Sequence, residues 1–448
     1  MEELEKYCTE CGDDLNDGGC NKCDTVGTDR IKVADVVFRD DLYPRIETSA
    51  TTVQKYAEDL SVLPPIIVNQ HNELIDGWHR WTAHKKNEVE TIAVIVIETA
   101  SDADLLEKAI ETNATHGLQL SQSDKKDMAH RVYNGTPEKE REAKKKHLAK
   151  ILSVGYSTLQ SWLARIDKDT KAKRLKRIRD CWMACWTLEE IAEAEGVDKT
   201  QISRLCCDFT ELEKYNKLDK NAANHESDFE PPIYNVWKQQ TKSEGSSHFG
   251  NSESRWVDNL LYLYTQPFDV VIDPFAGGGS TIDVCKKRMR RYFVSDRKPI
   301  VEREKEIRQH DIKDGPLKPP QWKDVKLVYL DPPYWIQAEG QYSKDAEDLG
   351  NQSLEDFTAN LANVIKEYAK KISDAYIALI IQPTQWKAPE REFTDHVGDM
   401  LRAVKLPVEM RYSVPYESQQ CTAQMVDWSK ENRRCLVLTR EIVVWRVK

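Results

Sequence analysis

Short continuous apolar runs mark two parts of the chain as mixed α/β structure. In residues 29–121 the predicted strands are 36–38, 66–68 and 91–97. In residues 226–448 they are 270–273, 291–296, 326–330 and 377–381, with a closing antiparallel pair, 434–439 and 442–446. Residues 122–225 show the spacing of helices, and the polar stretch 221–230 before Pro231-Pro232 predicts a linker.

A paired cysteine motif precedes these regions. Cys8, Cys11, Cys20 and Cys23 form two Cys-x-x-Cys turns with glycines between them. Four thiolates at this spacing suit one tetrahedral zinc ion, whose binding would supply the folding energy that so short a segment lacks. The sequence therefore predicts a structural zinc knuckle over residues 1–28.

The predicted strand 270–273 continues into a glycine-rich turn and a helix running to Arg290. This strand–turn–helix unit, Asp273-Pro-Phe-Ala-Gly-Gly-Gly279, is the start of a doubly wound parallel sheet. An acid at the strand end suits a cationic ligand, whereas a diphosphate would be repelled. Asp296 ends the next strand, where a carboxylate can bind a ribose diol, and His310-Asp311 could face an adenine edge.

The next predicted strand ends in Asp331-Pro332-Pro333-Tyr334. An amino group on an aromatic ring is a poor nucleophile because its lone pair is delocalised into the ring. A carboxylate and a backbone carbonyl that accept its two N–H groups favour a tetrahedral nitrogen, and prolines fix the backbone so that such a carbonyl stays in place. An aromatic side chain beside them can stack on a base rotated out of a duplex.

With both motifs in this order, residues 226–448 resemble the amino-methylating DNA methyltransferases. The resemblance implies a Rossmann-like domain that uses S-adenosyl-L-methionine and acts on adenine N6 in DNA. Cytosine N4 and an RNA substrate stay open as alternatives. The catalytic set that it implies is Asp331, Pro332, Pro333 and Tyr334. The cofactor set is Asp273, Phe275, Ala276, Gly277, Gly279, Asp296, His310 and Asp311.

Residues 29–121 resemble the ParB/sulfiredoxin-type domain, an α+β fold with a Gly-x-x-Arg phosphate box. The box corresponds to Gly77-Trp78-His79-Arg80, and the implied phosphate or nucleotide contacts are Gly77, His79 and Arg80. Sulfiredoxins have a catalytic cysteine where this chain has Trp78, so their activity is not expected. ParB-like nucleotidases carry an Asn-x-x-Arg box, and here His116 follows Asn113 at the arginine position, which leaves nucleotide binding open.

The helical region contains two helix-turn-helix patterns. The first runs from Leu148 to Trp162, and the second pairs a helix from Leu188 with one after Gly196. The second predicts base or phosphate contacts from Lys199, Thr200, Gln201, Ser203 and Arg204. Residues 141–180 are rich in lysine and arginine, which also favours DNA contact.

Bulk composition limits the class of protein. The 448 residues are 40% hydrophobic and 31% charged with a net charge of −10, which suits a multidomain soluble protein. The N-terminal residues are acidic, unlike those of a signal peptide, so we expect a cytoplasmic protein, and the methyltransferase resemblance implies a bacterial or phage-infected cell. No apolar run is long enough for a membrane span. The expected partner is double-stranded DNA, and a homodimer is left open. The main alternative function is a ParB-like DNA-binding regulator whose methyltransferase domain is inactive.

Overall fold

The computed structural model describes residues 29–115, 120–238, 253–335, 348–386, 392–415 and 422–448. The chain divides into two compact units, Met1–Ala172 and Lys173–Lys448. The division lies within the region that we predicted to be a helical domain, residues 122–225. Cys8, Cys11, Cys20, Cys23 and His116 lie outside the described residues, so the zinc knuckle stays a prediction.

The first unit combines a small mixed sheet with a group of helices. Its strands are β1 (Asp29–Lys32), β2 (Ile66–Val68), β3 (Leu74–Asp76) and β4 (Thr91–Val96). Its helices are α1 (Ala50–Glu58), α2 (Trp78–Lys86), α3 (Asp102–Thr115), α4 (Gln122–Asn134), α5 (Arg141–Ile151) and the start of α6 (Tyr156–Met183). The strand order is β1-β4-β2-β3, with β2 and β4 parallel. The predicted strand 36–38 is instead a single bridge from Val37 to Glu73.

Two separate apolar clusters hold this unit together. Ile66, Val68, Ile92 and Val94 pack with Trp81 of α2 in the sheet cluster. The helices close over a second cluster that contains Met128, Tyr133, Leu148, Leu159 and Leu163. The four strands are short, with three to six residues each.

The second unit is a seven-stranded α/β sheet with helices packed on it. Its helices are α7 (Leu188–Glu195), α8 (Lys199–Phe209), α9 (Lys217–Ala223), α10 (Ser254–Tyr264), α11 (Ser280–Lys287), α12 (Leu354–Ala369), α13 (His396–Val404) and α14 (Ala423–Glu431). Its strands are β5 (Val270–Asp273), β6 (Arg291–Asp296), β7 (Ile307–Gln309), β8 (Val325–Leu330), β9 (Ala375–Ile381), β10 (Thr384–Trp386), β11 (Glu392–Thr394), β12 (Val408–Pro415) and β13 (Thr439–Val447).

The strand order of the large sheet is β12-β13-β9-β8-β5-β6-β7. Strands β9, β8, β5, β6 and β7 are parallel, while β13 runs antiparallel to both of its neighbours. From β5 the chain passes to β6 and β7 on one side and then returns to β8 on the other. The carboxyl ends of β5 and β8 therefore flank a switch point, where open α/β sheets bind their ligands.

Two local predictions for the second unit are wrong. Residues 439–447 form one strand, β13, between β9 and β12, so the predicted closing pair 434–439 and 442–446 does not exist. The predicted linker 221–230 is docked instead. Arg288 donates to the Ala222 carbonyl and binds Asp228, Arg290 donates to the Ala223 carbonyl, and His225 is buried beside Asp258. Buried guanidinium groups need these acceptors, so the segment packs on the domain.

Candidate active site at the sheet switch point

Asp273 ends strand β5 and is 2% exposed. Its Oδ1 accepts the Phe275 N–H at 2.9 Å and its Oδ2 accepts the Thr281 hydroxyl at 2.6 Å. The pKa of the Asp273 carboxyl is raised to about 7, chiefly by burial and also by the charges of Asp331 and Asp296, while the two hydrogen bonds act in the opposite direction. This carboxyl is therefore poised to be stabilised by a cation.

The glycine-rich turn carries the chain from β5 into α11. Gly277 and Gly279 both have positive φ, 49° and 84°, and Gly279 is the N-cap of α11. A Cβ on Gly279 would lie 2.8 Å from Cδ of Arg303, a side chain whose Nη2 binds Asp283. The glycine at 279 is thus required both by the backbone conformation and by this close contact.

Asp296 ends β6 and is tied to the same turn. Its Oδ2 accepts the Gly277 N–H and its Oδ1 accepts the Lys298 N–H, each at 2.9 Å. The His310 N–H bonds the Asp296 carbonyl at 3.0 Å, so His310 follows β7 beside it. The His310 ring is committed locally, since its Nε2 lies 2.8 Å from the Gly315 carbonyl. An N–H at Nε2 is the tautomer that this carbonyl requires.

Asp311 has two local partners. Its Oδ1 accepts the Lys313 N–H at 3.1 Å, and its Oδ2 lies 3.3 Å from Nε of Arg297. The sequence predicted that Asp311 faces an adenine edge. In the structure the carboxylate caps the short turn after β7 and pairs with an arginine, so both oxygens are already engaged.

The corner Asp331–Tyr334 directly follows the buried strand β8. Pro332 is buried, whereas Asp331, Pro333 and Tyr334 are partly exposed. The Tyr334 hydroxyl lies 3.4 Å from Oδ1 of Asp331, a long and weak hydrogen bond that places both polar groups on the same side of the corner. A partly exposed carboxylate, an adjoining carbonyl and an aromatic ring can together receive an amino-substituted base.

Three predicted acids meet at neighbouring strand ends. Asp273 and Asp296 are the last residues of β5 and β6, and Asp331 directly follows β8. The negative charges of Asp296 and Asp331 both raise the pKa of Asp273. Sequence reasoning missed three residues that complete this edge: Thr281, Arg303 and Trp335. Thr281 and Trp335 could have been predicted from the sequence, because each lies next to a predicted motif. Arg303 lies far from both motifs in the sequence, and no local pattern pointed to it.

The predicted phosphate box lies in the first unit. Gly77 has φ 105° and caps α2, and Nε2 of His79 accepts the Ser49 N–H at 2.9 Å. Arg80 bonds Asp76 at 2.6 Å and the carbonyls of Pro64 and Pro65. The guanidinium of Arg80 therefore braces α2 against the preceding loop, and a phosphate contact would require it to leave these partners.

The predicted DNA-contacting residues lie on α8. Lys199, Thr200, Gln201 and Arg204 are exposed and Ser203 is partly exposed, while Ile202 is buried. Gly196 joins α7 to α8 with φ 63°. The surroundings are acidic, because Lys199 pairs with Glu189 and α7 also carries Glu190, Glu193 and Glu195. This charge disfavours a phosphate backbone close to α7.

Two features are absent from the part of the chain that the structure describes. No group of three or more His, Cys, Asp or Glu side chains there is placed to hold a metal ion. In the same part of the chain no helix is long and apolar enough to cross a membrane.

The family match agrees with these motifs. The family model N6_N4_Mtase, described as DNA methylase, matches residues 86–302. The match includes the glycine-rich turn and Asp296 and ends before Asp331. Transcriptional regulator NovG of Streptomyces niveus is 33% identical over 91 residues, 20% of this chain, and the chain spans 28% of the length of that relative.

Likeness to solved structures is remote. ParB from Caulobacter crescentus, complexed to the centromeric parS site, is 16% identical and matches 40% of this chain and 99% of its own, with a TM-score of 0.23. The Burkholderia thailandensis 1,6-didemethyltoxoflavin-N1-methyltransferase with bound S-adenosylhomocysteine is 15% identical and matches 44% of this chain and 78% of its own, with a TM-score of 0.27. Neither likeness is close enough to bear on function. The family match and the motifs show that this chain is similar over residues 86–302 to the DNA methylases of the N6/N4 methyltransferase family.

Proposed function

We propose that this protein transfers a methyl group from S-adenosyl-L-methionine to an exocyclic amino nitrogen in double-stranded DNA, namely adenine N6. The observation that carries the proposal is the Asp331-Pro-Pro-Tyr334 corner at the carboxyl end of β8, across the switch point from Asp273. Ligands of open α/β sheets bind at this place.

The residues at the switch point fit the cofactor. Three carboxylates, those of Asp273, Asp296 and Asp331, lie at neighbouring strand ends there. The pKa of Asp273 is raised to about 7, chiefly because its carboxylate is buried. S-adenosyl-L-methionine carries an ammonium and a sulfonium group, and the sulfonium supplies an activated methyl group when the cofactor is bound. Asp273 would hold the ammonium end, and Asp296 would bind the ribose beside the turn at Gly277.

The corner would prepare the amino group for attack. Asp331 and the Pro332 carbonyl would each accept one N–H of the base, which returns the nitrogen lone pair from the ring to the nitrogen. Tyr334 would stack on the rotated base and offset part of the unstacking cost of a few kcal/mol. An aspartate at the first position of the corner supports adenine over cytosine, as the family resemblance implies.

The acceptor nucleic acid would be held by the helical region. The residues proposed for this contact are Lys199, Thr200, Gln201, Ser203 and Arg204. The start of α6 offers a second surface, where Ser157, Thr158 and Gln160 are exposed, and the preceding helix α5 carries the exposed Lys146 and Lys150. Tandem helix pairs support a duplex DNA acceptor, because the deep, narrow major groove of A-form RNA excludes helices.

The proposal is tested by mass spectrometry of nucleosides. DNA is incubated with the protein and S-adenosyl-L-methionine, beside an Asp331→Ala variant. We expect N6-methyladenine from the wild type and a loss of roughly 100-fold or more in the variant, with cofactor binding retained. Detection of N4-methylcytosine instead would show that the methylated base is cytosine.

A second candidate is a DNA-binding regulator with an inactive methyltransferase domain. The similarity to a transcriptional regulator over 91 residues favours it. The same incubations decide between the two, because the regulator would methylate no double-stranded DNA, single-stranded DNA or RNA while still binding duplex DNA.

A further inference from the structure

Trp335 directly follows the Asp331–Tyr334 corner and is 4% exposed. Its ring lies in the apolar cluster that contains Phe357 of α12 and Val397 of α13. A large aromatic side chain buried one residue after a partly exposed tyrosine fixes the direction in which the chain leaves the corner.

The indole N–H of Trp335 has a defined acceptor. Nε1 donates to the Gln352 carbonyl at 2.9 Å. Gln352 precedes Ser353, whose hydroxyl accepts the Asp356 N–H and caps α12. Phe357 and two further α12 side chains are fully buried in the same apolar cluster as Trp335, so this acceptor is attached to a rigid element.

His396 forms the other wall around the indole. Its ring meets Trp335 edge-on, with centroids 5.4 Å apart at 73°, and meets Phe357 similarly at 5.5 Å and 67°. His396 is 1% exposed, and its Nε2 lies 2.8 Å from the Thr384 hydroxyl. Its Nδ1 has no hydrogen-bond partner among the residues that the structure describes. The imidazole thus acts here as an aromatic packing surface.

From these contacts we propose that Trp335 is a positioning residue of the catalytic corner; the inference rests on the proposed function. Strand β8 fixes the corner before Asp331, and the indole fixes it after Tyr334. The four intervening residues, two of them proline, have little remaining freedom. The anchor therefore sets the directions of the Pro332 carbonyl and the Tyr334 ring, and misplacement of reacting groups by about 1 Å can cost about 100-fold in rate.

The test is the Trp335→Phe variant, which keeps an apolar ring but removes the donor to Gln352. Methyl transfer is measured under single-turnover conditions on DNA whose methylated position has been mapped with the wild type. We expect the transfer rate to fall about tenfold or more, while the KM for S-adenosyl-L-methionine stays within about twofold, because the proposed cofactor contacts lie on β5 and β6.

Trp322→Phe is the matched control. Trp322 packs against the same apolar cluster but lies before β8, away from the corner. The two variants should lower the melting temperature similarly, and the rate should fall for Trp335→Phe alone. A Trp335→Phe enzyme that keeps more than half of the wild-type rate would overturn the positioning role and leave the proposed function intact.

Amide hydrogen exchange tests the anchoring role of Trp335 independently of the proposed methyl transfer. The amides of Tyr334 and Trp335 report on the corner whether or not the protein is active. Faster exchange of both in Trp335→Phe than in Trp322→Phe supports the anchor, and equal exchange overturns it. A wild type that methylates no nucleic acid would refute the proposed function, and exchange would still decide whether Trp335 anchors the corner.

Discussion

At the scale of single residues, two buried titratable groups beside the candidate site are shifted in ways that favour their neutral forms. Burial raises the pKa of Asp273 to about 7 and lowers the pKa of His396 to about 4. A ligand cation can reverse the cost of the Asp273 charge. The His396 ring lies in an aromatic environment. The charges of Asp399 and Asp395 oppose the lowering of its pKa but do not outweigh burial.

Asp273 predicts proton release on cofactor binding. At pH 6 the free protein holds this carboxyl mostly protonated, and a bound ammonium group would favour the carboxylate, so binding should release close to one proton per site. Calorimetry in two buffers with different ionisation enthalpies measures this number. Proton release should vanish at pH 8.5, where Asp273 is already ionised, and in the Asp273→Asn variant. That variant should also bind S-adenosyl-L-methionine more weakly. Identical heats in both buffers at pH 6 would contradict the assignment.

His396 predicts a loss of stability in acid. Its pKa in the folded protein lies below the ordinary 6.5, so the unfolded chain binds the proton first as the pH falls. The stabilisation from neutral His396 is present above pH 6.5 and is lost towards pH 4, by up to about 3 kcal/mol. Denaturant unfolding of the wild type and His396→Gln from pH 7 to 4.5 should show a shallower decline in the variant. Parallel curves for the two proteins would show that groups other than His396 cause the loss of stability in acid.

At the scale of elements, glycines with positive φ set the directions in which two helices start. Gly77 caps α2 after β3, and Gly279 caps α11 after the β5 turn. Each follows a strand that ends in an acid, Asp76 or Asp273. The strand–glycine–helix pattern is therefore used twice, once in each unit.

Gly77→Ala should destabilise the first unit. Alanine is strained at φ 105°, and its Cβ would lie 2.6 Å from Cγ2 of the buried Ile66. The backbone strain alone costs about 1–2 kcal/mol. Gly135→Ala is the control, because Gly135 has φ −78° and its nearest contact is 3.8 Å away. Thermal unfolding should show a lower transition for the first variant and an unchanged or slightly higher one for the second.

At the scale of the whole molecule, the second unit begins well before the α/β sheet. Trp182 lies in the same core cluster as Val271 of β5, and its ring stacks under the Arg291 guanidinium. Arg308 donates to the carbonyls of Ala184 and Cys185 at the end of α6. The residues from 173 onwards therefore supply part of the hydrophobic core and the acceptors of buried arginines.

Truncation should reveal this boundary. A chain of residues 173–448 should fold and bind S-adenosyl-L-methionine, because its core and its buried ion pairs are complete. A chain of residues 226–448 should aggregate, since it lacks Trp182 and the other core residues that precede residue 226. Arg288 and Arg290 would also each lose a backbone acceptor, at a cost of about 1–3 kcal/mol for each unsatisfied buried group. Size-exclusion chromatography would detect aggregation of either chain, and thermal unfolding would show whether it folds. Equal behaviour of the two chains would place the boundary at residue 225 instead.

DNA site selectivity is a separate outcome of the same truncation. If the helices of the first unit read DNA, the chain of residues 173–448 should methylate DNA with lower selectivity than the full chain. Sequencing of methylated positions measures this. Undiminished selectivity would place base recognition within residues 173–448.

The sequence by itself determined the local features of this protein. Apolar runs predicted strands β5, β6, β8 and β9 correctly. The acids that end β5 and β6 and the acid that follows β8 were also placed correctly, because glycine, proline and charge mark a strand end locally. The tertiary structure decided whatever depends on partners distant in the chain. Strand β13 pairs with β9 and β12 rather than with its own neighbours, Arg288 and Arg290 draw the predicted linker onto the domain, and the anchor of Trp335 depends on a carbonyl 17 residues away. Such pairings are selected by burial and hydrogen-bond satisfaction over the whole fold, which no local pattern records.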